Sequence, residues 1–236
     1  MIPKKVHQIF FNLNNKEITD IPIFFESSIS TMRKYKDYEY RLWREKDCEK
    51  LIENKLPQYY DFYINMKYKI QQIDFMRYAI LYLFGGVYID LDILPIKKFN
   101  FHKNKLILYT FNKIIQKHNE FVQNDLMATE PLNPFFWMLL HRCERNYKAK
   151  EKIDVYKNWK ARFVLQTTGP RYFSKTLKHI YPAYRPLENL VYTEWKNAKP
   201  NNKKDYFFAN YVTGGWLESM SNNKASKNFY LKIDEL

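Results

Sequence analysis

The feature that most constrains the fold is a helical pattern that stops at two glycines and continues as a strand. Apolar residues recur at helical spacing up to Phe84. Gly85 and Gly86 then end the helix, because glycine adopts the left-handed cap conformation without steric cost. Residues 87–94 predict a strand that Pro95 closes. A helix that leads directly into a strand is typical of α/β proteins.

Strands and helices alternate through the first part of the chain. The clear patterns predict strands at residues 5–12, 38–43 and 87–94, and helices at residues 22–35, 46–54 and within 59–84. Weaker patterns predict a strand at residues 106–111 and helices at residues 134–145 and 170–179. This order indicates an α/β fold with a mostly parallel central sheet flanked by helices. The chain of 236 residues fits one domain, residues 1–221, followed by a polar tail at 222–236.

Two carboxylates in the predicted strand are the strongest chemical signal. Apolar residues occupy every second position of residues 87–94, and Asp90 and Asp92 share the other face, because side chains two apart point the same way. Adjacent carboxylates repel each other unless a cation lies between them, and Mn²⁺ or Mg²⁺ suits oxygen ligands. Such a cation would neutralise the diphosphate of a departing nucleotide. Because Asp-x-Asp also occurs by chance at solvated strand ends, the flanking residues decide between the two interpretations.

The preceding helix carries a second charged pair. Asp74 and Arg77 are three positions apart and therefore lie on one face of the helix. Beside a sugar site they could hold hydroxyl groups through charge-assisted hydrogen bonds. The alternative is a plain ion pair within the helix.

The whole run of residues 74–92, DFMRYAILYLFGGVYIDLD, resembles the signature D-x-x-R-x-x-x-L-x-x-x-G-G-x-Y-x-D-x-D of the DxD sugar-binding glycosyltransferase family. That family includes yeast-type initiating α-1,6-mannosyltransferases, capsular-polysaccharide transferases and, more distantly, the large clostridial glucosylating toxins. The match is complete at Asp74, Arg77, Leu81, Gly85, Gly86, Tyr88, Asp90 and Asp92. The resemblance implies a GT-A-type, Rossmann-like fold and transfer of a sugar from a UDP- or GDP-linked donor to a hydroxyl, with retention of configuration. It also implies that Asp90 and Asp92 hold the metal, and that Asp74, Arg77 and Tyr88 contact the donor.

Other segments resemble the same family and add further site residues. Residues 2–10 resemble its opening I-P-K-x-I-H-x-x-W, with Phe10 in place of the tryptophan that normally lies along the nucleotide. Residues 124–131 resemble a segment near the donor sugar, which implies that Asn124 or Asp125 binds sugar hydroxyls; the alternative is a loop cap. Residues 168–170 match T-G-P, which implies that a helix beginning at Gly169 faces the cleft, where its N-terminus favours anions.

The C-terminal match departs from the family pattern. Residues 210–216 resemble H-x-x-x-x-S-W, but Asn210 or Tyr211 replaces the histidine and Gly215 replaces the serine. An asparagine carbonyl can ligate a hard cation, so Asn210 is the candidate third metal ligand. The resemblance implies that Trp216 lies near the leaving phosphate and helps to close a lid over the donor.

Glycine is scarce, and its few positions are therefore informative. The five glycines fall at Gly85-Gly86, at Gly169 and at Gly214-Gly215. Each place is expected to require positive φ or close backbone approach, and each is a candidate active-site segment. The alternative is an ordinary turn.

The charge and the apolar stretches bear on partners and compartment. A net charge of +14 attracts polyanions, although a lysine-rich solvated surface explains it equally well. We expect a nucleotide-sugar donor, a glycan or lipid-linked acceptor, and possible peripheral contact with an anionic membrane, but no nucleic acid. Cys48 and Cys143 form no metal or disulfide motif, and no stretch is long enough for a signal peptide or a membrane span, so we expect a cytoplasmic protein. The competing interpretations are a basic nucleic-acid-binding protein and a non-catalytic glycan-binding relative.

Overall fold

The computed structural model describes residues 1–13, 21–110, 121–153, 160–188, 190–193 and 206–210. Several predictions lie outside these residues: Phe111 at the end of a predicted strand, Tyr211 as the alternative to Asn210, the glycine pair at 214–215, Trp216 and the polar tail at 222–236.

Helices and strands alternate as the sequence predicts. In chain order the elements are β1 (Lys5–Phe10), α1 (Ile23–Arg33), β2 (Glu39–Arg44), α2 (Glu45–Lys55), a 3₁₀ turn (Pro57–Tyr59), α3 (Tyr60–Ile64), α4 (Lys69–Phe84), β3 (Gly86–Ile89), β4 (Ile93–Pro95), β5 (Leu106–Ile107), β6 (Leu126–Thr129), α5 (Pro134–Glu151), α6 (Lys160–Thr167), α7 (Pro170–Ile180), β7 (Val191–Thr193) and β8 (Phe208–Asn210). The α/β class is confirmed.

The central sheet has five strands in the order β2-β1-β3-β6-β5. Strand β1 is parallel to both β2 and β3, whereas β6 is antiparallel to both β3 and β5. Four of the five strands therefore run in one direction and β6 runs against them, so the prediction of a mostly parallel sheet is confirmed. A second sheet has the order β4-β8-β7.

Helix α4 is buried on nearly every side, and this places its charged residues inside the protein. Its buried residues include Ile73, Phe75, Met76 and Ala79 on different faces of the helix. A helix that is apolar all round packs within the core rather than on the surface. Charged side chains on such a helix must find buried partners, because an unpaired buried charge is very costly.

The two glycines after α4 are required by the backbone. Gly85 has φ of +60° and Gly86 has φ of +93°, which confirms the expected positive φ at this pair. With ψ of −157°, however, Gly85 does not adopt the left-handed cap conformation that the sequence predicts. A Cβ atom on Gly85 would lie 2.7 Å from the backbone nitrogen of Pro131, and one on Gly86 would lie 2.7 Å from the carbonyl oxygen of Lys5. Glycine thus allows the chain to leave α4 and enter the middle of the sheet at once.

The predicted strand at residues 87–94 is not continuous, and this corrects the sequence interpretation. Strand β3 ends at Ile89, and β4 begins at Ile93 in the second sheet. Between them the N–H of Ile93 donates to the carbonyl of Asp90 at 3.1 Å, which closes a turn that contains Asp92. The pairing of β4 with β8 redirects the chain. Asp90 and Asp92 are therefore presented by a turn at the carboxyl end of β3 and not by one face of a strand.

Other boundaries differ where tertiary contacts decide them. The strand predicted at residues 106–111 is shortened to β5, with isolated bridges at Tyr109 and Thr110, while Phe111 lies outside the described residues. Helix α5 continues to Glu151, six residues beyond the predicted end at 145.

Candidate active site

Arg77 joins the predicted sugar-binding pair to the carboxylates that follow β3. Its Nη1 atom donates to Asp74 Oδ1 at 3.0 Å, and its Nη2 atom donates to Asp90 Oδ2 at 3.0 Å. Its Nε atom donates to the hydroxyl of Tyr88 at 3.1 Å, and that hydroxyl donates to Asp90 Oδ1 at 2.5 Å. The side chain of Arg77 is 8% exposed, so the contacts form a buried network and not merely an ion pair within the helix.

Both carboxylate oxygens of Asp74 accept hydrogen bonds from other elements. Besides Arg77, Oδ1 accepts from Asn124 Nδ2 at 2.9 Å, and Oδ2 accepts from Thr168 Oγ1 at 2.9 Å. Burial raises the pKa of Asp74, and the Arg77 charge and the hydrogen bonds from Thr168 and Asn124 oppose the rise. Asn124 also donates to the hydroxyl of Tyr78 at 2.9 Å. Asn124 therefore belongs to the buried network and is not a simple loop cap.

The turn after β3 holds two carboxyl groups whose pKa values are both raised. Burial raises the pKa of Asp90 to about 7, with Arg77 opposing the rise and the charge of Asp125 adding to it. Burial raises the pKa of Asp92 well above its ordinary value, and the charges of Asp90 and Asp125 add to the rise. The Oδ1 atom of Asp92 is buried and has no hydrogen-bond partner among the described residues. An acceptor in this setting is stabilised by a proton or a cation.

Asp125 completes the group of acidic side chains. Its Oδ1 atom accepts from the hydroxyl of Tyr109 at 2.6 Å, and its Oδ2 atom accepts from Asn210 Nδ2 at 3.1 Å. Its backbone carbonyl accepts from the N–H of Asp90 at 2.7 Å, which ties the start of β6 to the turn after β3. The structure thus brings the predicted residues Asn210 and Asp125 into contact. Sequence reasoning missed Tyr109, because one aromatic residue in a weakly patterned segment of a chain with 20 Tyr carries no signal.

The residues present fit a divalent cation that is only partly coordinated by protein. Arg77 lowers the pKa of each of the four carboxyl groups, yet all four pKa values remain raised: those of Asp74, Asp90, Asp92 and Asp125. The buried, unpartnered Oδ1 atom of Asp92 is an available hard oxygen ligand. In the described part of the chain, no cluster of three His, Cys, Asp or Glu residues could hold a metal unaided. These properties suit Mg²⁺ or Mn²⁺ held by one or two carboxylates, with phosphate and water as the other ligands.

Comparison with known proteins identifies the region that carries this network. Residues 25–120 match the family described as glycosyltransferase sugar-binding region containing DXD motif. The DXD sugar-binding region is therefore confirmed in this chain. It contains Asp74, Arg77, Tyr88, Asp90 and Asp92, whereas the other predicted site residues lie outside it.

Two curated relatives of this chain are yeast proteins that are longer than it. A mannosyl phosphorylinositol ceramide synthase of Saccharomyces cerevisiae is 30% identical over 191 residues, which is 80% of this chain and 45% of that protein. Inositol phosphoceramide mannosyltransferase 2 of Schizosaccharomyces pombe is 28% identical over 152 residues, which is 63% of this chain and 40% of that protein. The chain thus spans less than half the length of either relative.

A solved structure supports the fold around the DXD region. The PaToxG glycosyltransferase superposes with a TM-score of 0.55 at 21% sequence identity, covering 77% of this chain and 70% of that one. At this level of identity the similarity concerns the fold, and it confirms the GT-A-type α/β fold that the resemblance implied.

Phe10 lies at the edge of the sheet where the DXD turn is found. It is the last residue of β1, and β1 runs parallel to β3, so their carboxyl ends share one edge. Phe10 is half-buried, with Arg44 5.0 Å from its ring and Phe25 in edge contact at 6.4 Å between ring centroids. The aromatic ring is placed at the expected end of β1, and its contact with a nucleotide base stays a prediction.

His7 is a structural residue behind the DXD region. Trp43 Nε1 donates to its Nδ1 atom at 3.3 Å, so Nε2 carries the proton and donates to the carbonyl of Gly85 at 3.0 Å. Burial lowers the pKa of His7 to about 4, so the ring is neutral near pH 7. Trp43 is 1% exposed and packs in the core.

Gly169 borders the DXD region by close approach and not by unusual φ. Its φ is −78°, and it is the N-cap of α7. A Cβ atom there would lie 3.1 Å from Leu165 Cα and 3.5 Å from Asp74 Oδ2. The N-terminus of α7 is thereby brought against the buried carboxylate of Asp74. The role of Gly169 in donor binding stays a prediction, as does that of Trp216, which lies outside the described residues.

Proposed function

We propose that the protein is a metal-dependent glycosyltransferase that moves a sugar from a UDP- or GDP-linked donor to a hydroxyl acceptor. One observation carries this proposal: Asp92, in the confirmed DXD region, has a buried oxygen without a hydrogen-bond partner among the described residues. This oxygen lies beside the carboxyl groups of Asp90 and Asp125, whose pKa values are raised. Such a site attracts a hard cation together with the diphosphate that shares it.

The described residues divide the work of binding the donor. Asp92 ligates the cation, while Asp90, already held by Arg77 and Tyr88, contacts the cation, the ribose or both. Asp74 and Arg77 lie next to each other in a rigid, buried network and position the sugar. When bound, Mn²⁺ or Mg²⁺ supplies positive charge that stabilises the diphosphate leaving group.

The proposed reaction balances without a protein base. The bond between the anomeric carbon and the phosphate oxygen breaks, and its electron pair stays on the nucleoside diphosphate. The acceptor oxygen bonds to the anomeric carbon, and its proton passes to the departing phosphate. The proposal assigns none of the described carboxylates as the base, which suits a retaining route in which the leaving phosphate takes the proton.

The names of the two yeast relatives support a choice of sugar and acceptor. One is a mannosyltransferase for inositol phosphoceramide, and the other is a mannosyl phosphorylinositol ceramide synthase. We propose mannose as the sugar and a lipid-linked acceptor that carries a phosphorylated headgroup.

A basic surface supports peripheral contact with an anionic membrane. We define the basic face by exposed Lys34 and Lys36, which follow α1, and by exposed Lys97, which follows β4; the neighbouring Lys98 is paired with exposed Asp37 at 3.4 Å. Tyr35 joins the two segments by donating its hydroxyl to the carbonyl of Lys97 at 3.4 Å.

An exposed aromatic ring lies beside the basic face. Lys97 Nζ lies 5.5 Å from the ring of Phe207, which is 38% exposed. Lysines next to an exposed aromatic ring suit the surface of anionic lipids. In the described part of the chain, no helix is both long enough and apolar enough to cross a bilayer.

The function is tested by donor binding and turnover. Thermal melts with UDP-sugars and GDP-sugars, including GDP-mannose, should show a Mn²⁺-dependent increase in Tm for one donor class, because a ligand that binds the folded state stabilises it. Donor turnover should be lost in Asp92→Ala and kept in Asp61→Ala, whose side chain is exposed on α3. Undiminished turnover in Asp92→Ala would refute the proposed role of Asp92.

The same assays distinguish the competing functions. Donor binding by wild type without any turnover would indicate a non-catalytic relative. Salt-dependent RNA binding without donor binding would indicate a nucleic-acid-binding protein.

A further inference from the structure

A buried tyrosine holds a carboxylate that the DXD region does not include. Tyr109 is 0% exposed, and its hydroxyl donates to Asp125 Oδ1 at 2.6 Å. From the second sheet, Asn210 donates to the other oxygen of Asp125 at 3.1 Å. The carboxylate is therefore fixed in position and rotation by donors on both oxygens.

The fixed carboxylate is tied to the DXD turn through the backbone. The backbone carbonyl of Asp125 accepts from the N–H of Asp90 at 2.7 Å, so the two segments are held together. A fixed negative charge at this place acts on any cation that Asp92 binds.

Asp125 is suited to hold a water of the cation and not the cation itself. Asp90, Asp92 and Asp125 do not form a three-carboxylate cluster that could hold a metal directly. An ionised carboxylate has about four acceptor positions. Tyr109 and Asn210 each use one, and a backbone hydrogen bond of Asp125 itself uses a third, so about one position remains for a water of the coordination shell.

We propose that Tyr109 is a positioning residue that acts through Asp125: it aims a third carboxylate at the water shell of the cation bound by Asp92. This inference rests on the proposed function, since it requires a cation beside Asp92. Outer-shell partners of this kind commonly contribute about 10–100-fold to metal affinity.

The test measures Mn²⁺ affinity in Tyr109→Phe. Titration calorimetry and the Mn²⁺ EPR signal, each with UDP and with GDP present, should show binding weakened about 10-fold relative to wild type. Tyr184→Phe is the matched control. Tyr184 likewise uses its hydroxyl to hold the β5 segment, accepting from the N–H of Leu108 at 3.0 Å and donating to the carbonyl of Leu106 at 3.3 Å, but it contacts no carboxylate in the described residues. We expect Tyr184→Phe to bind Mn²⁺ like wild type.

The outcomes separate the inference from the function on which it rests. If wild type binds no Mn²⁺ with either nucleotide, the proposed function fails. If wild type binds Mn²⁺ but Tyr109→Phe weakens it no more than Tyr184→Phe does, the positioning role is overturned and the function stands.

A double-mutant cycle distinguishes positioning from general support of the fold. In an Asp125→Ala background, Tyr109→Phe should cause no further loss of Mn²⁺ affinity, because the group that Tyr109 positions is gone. If the two substitutions reduce the free energy of Mn²⁺ binding additively, the inference is overturned. If Tyr109→Phe alone does not fold, the double variant still allows the comparison, because it contains no Asp125 carboxylate that has lost its tyrosine donor. Its Mn²⁺ affinity should equal that of Asp125→Ala, and a weaker affinity would contradict the role.

Discussion

Replacing Asp92 by asparagine should make the metal-free protein more stable while it abolishes the response to Mn²⁺. The Oδ1 atom of Asp92 is buried without a partner, and the charges of Asp90 and Asp125 add to the effect of burial on its pKa. A buried group left unsatisfied costs about 1–3 kcal/mol, and more if it is charged. The neutral amide removes the charged part of this cost, so we expect a gain of about 2 kcal/mol, or about 4–8 °C in Tm for a chain of this size.

The gain should depend on pH in a defined direction. The pKa of Asp92 in the folded state is raised above its value in the unfolded chain, so the folded protein keeps the proton to higher pH. Below the unfolded value of about 4 both states are protonated, and the two proteins should differ little. As pH rises above that value the wild type loses stability, and the advantage of Asp92→Asn grows until the folded group also ionises.

The assay is a set of thermal melts from pH 4 to pH 8 in EDTA and in Mn²⁺ with nucleotide. In EDTA at pH 8, Asp92→Asn should melt above wild type, and in Mn²⁺ only wild type should be stabilised. Asp61→Asn, an exposed change on α3, should stay within about 0.5 kcal/mol of wild type throughout. If Asp92→Asn melts at or below the Tm of wild type in EDTA at pH 8, the carboxylate of Asp92 does not destabilise the metal-free protein, and the reasoning is refuted.

Three further predictions concern the buried network around Arg77 and the residues that support it, Gly85 and His7. Arg77→Met should destabilise the protein by about 3–5 kcal/mol in urea unfolding, because it leaves the carboxylates of Asp74 and Asp90 buried without their cation; a loss below 1 kcal/mol would contradict this network. Gly85→Ala should cost at least about 1–2 kcal/mol in the same assay, since φ is +60° and the new Cβ would meet Pro131. Burial lowers the pKa of His7 from 6.5 to about 4, so its imidazole resists protonation in the folded protein. Wild type should therefore lose stability relative to His7→Gln as pH falls from 6.5 to about 4. If the urea midpoints of the two proteins change with pH in the same way, the ring is not buried and neutral.

The part of the site that sequence predicts best is the part built from neighbours along the chain. Helical spacing places Asp74 and Arg77 on one face, and the two glycines fix how α4 enters β3. These are local rules of backbone geometry, and the contacts of Arg77 with Asp74 agree with them. Local spacing could not show that Arg77 also reaches Asp90, because that contact depends on how α4 packs beside the end of β3.

The amino-acid sequence by itself determined the α/β class, the family signature and the identity of the acidic residues, because these follow from periodicity and from spacing within short segments. The tertiary structure alone decided that the chain turns between Asp90 and Ile93, that Asn210 meets Asp125, and that Tyr109 holds that carboxylate. Each of these contacts lies at or just beyond the end of a strand, and the neighbours of those strands are set by sheet pairing. Pairing between distant strands is governed by packing across the whole core, and no spacing along the chain encodes it.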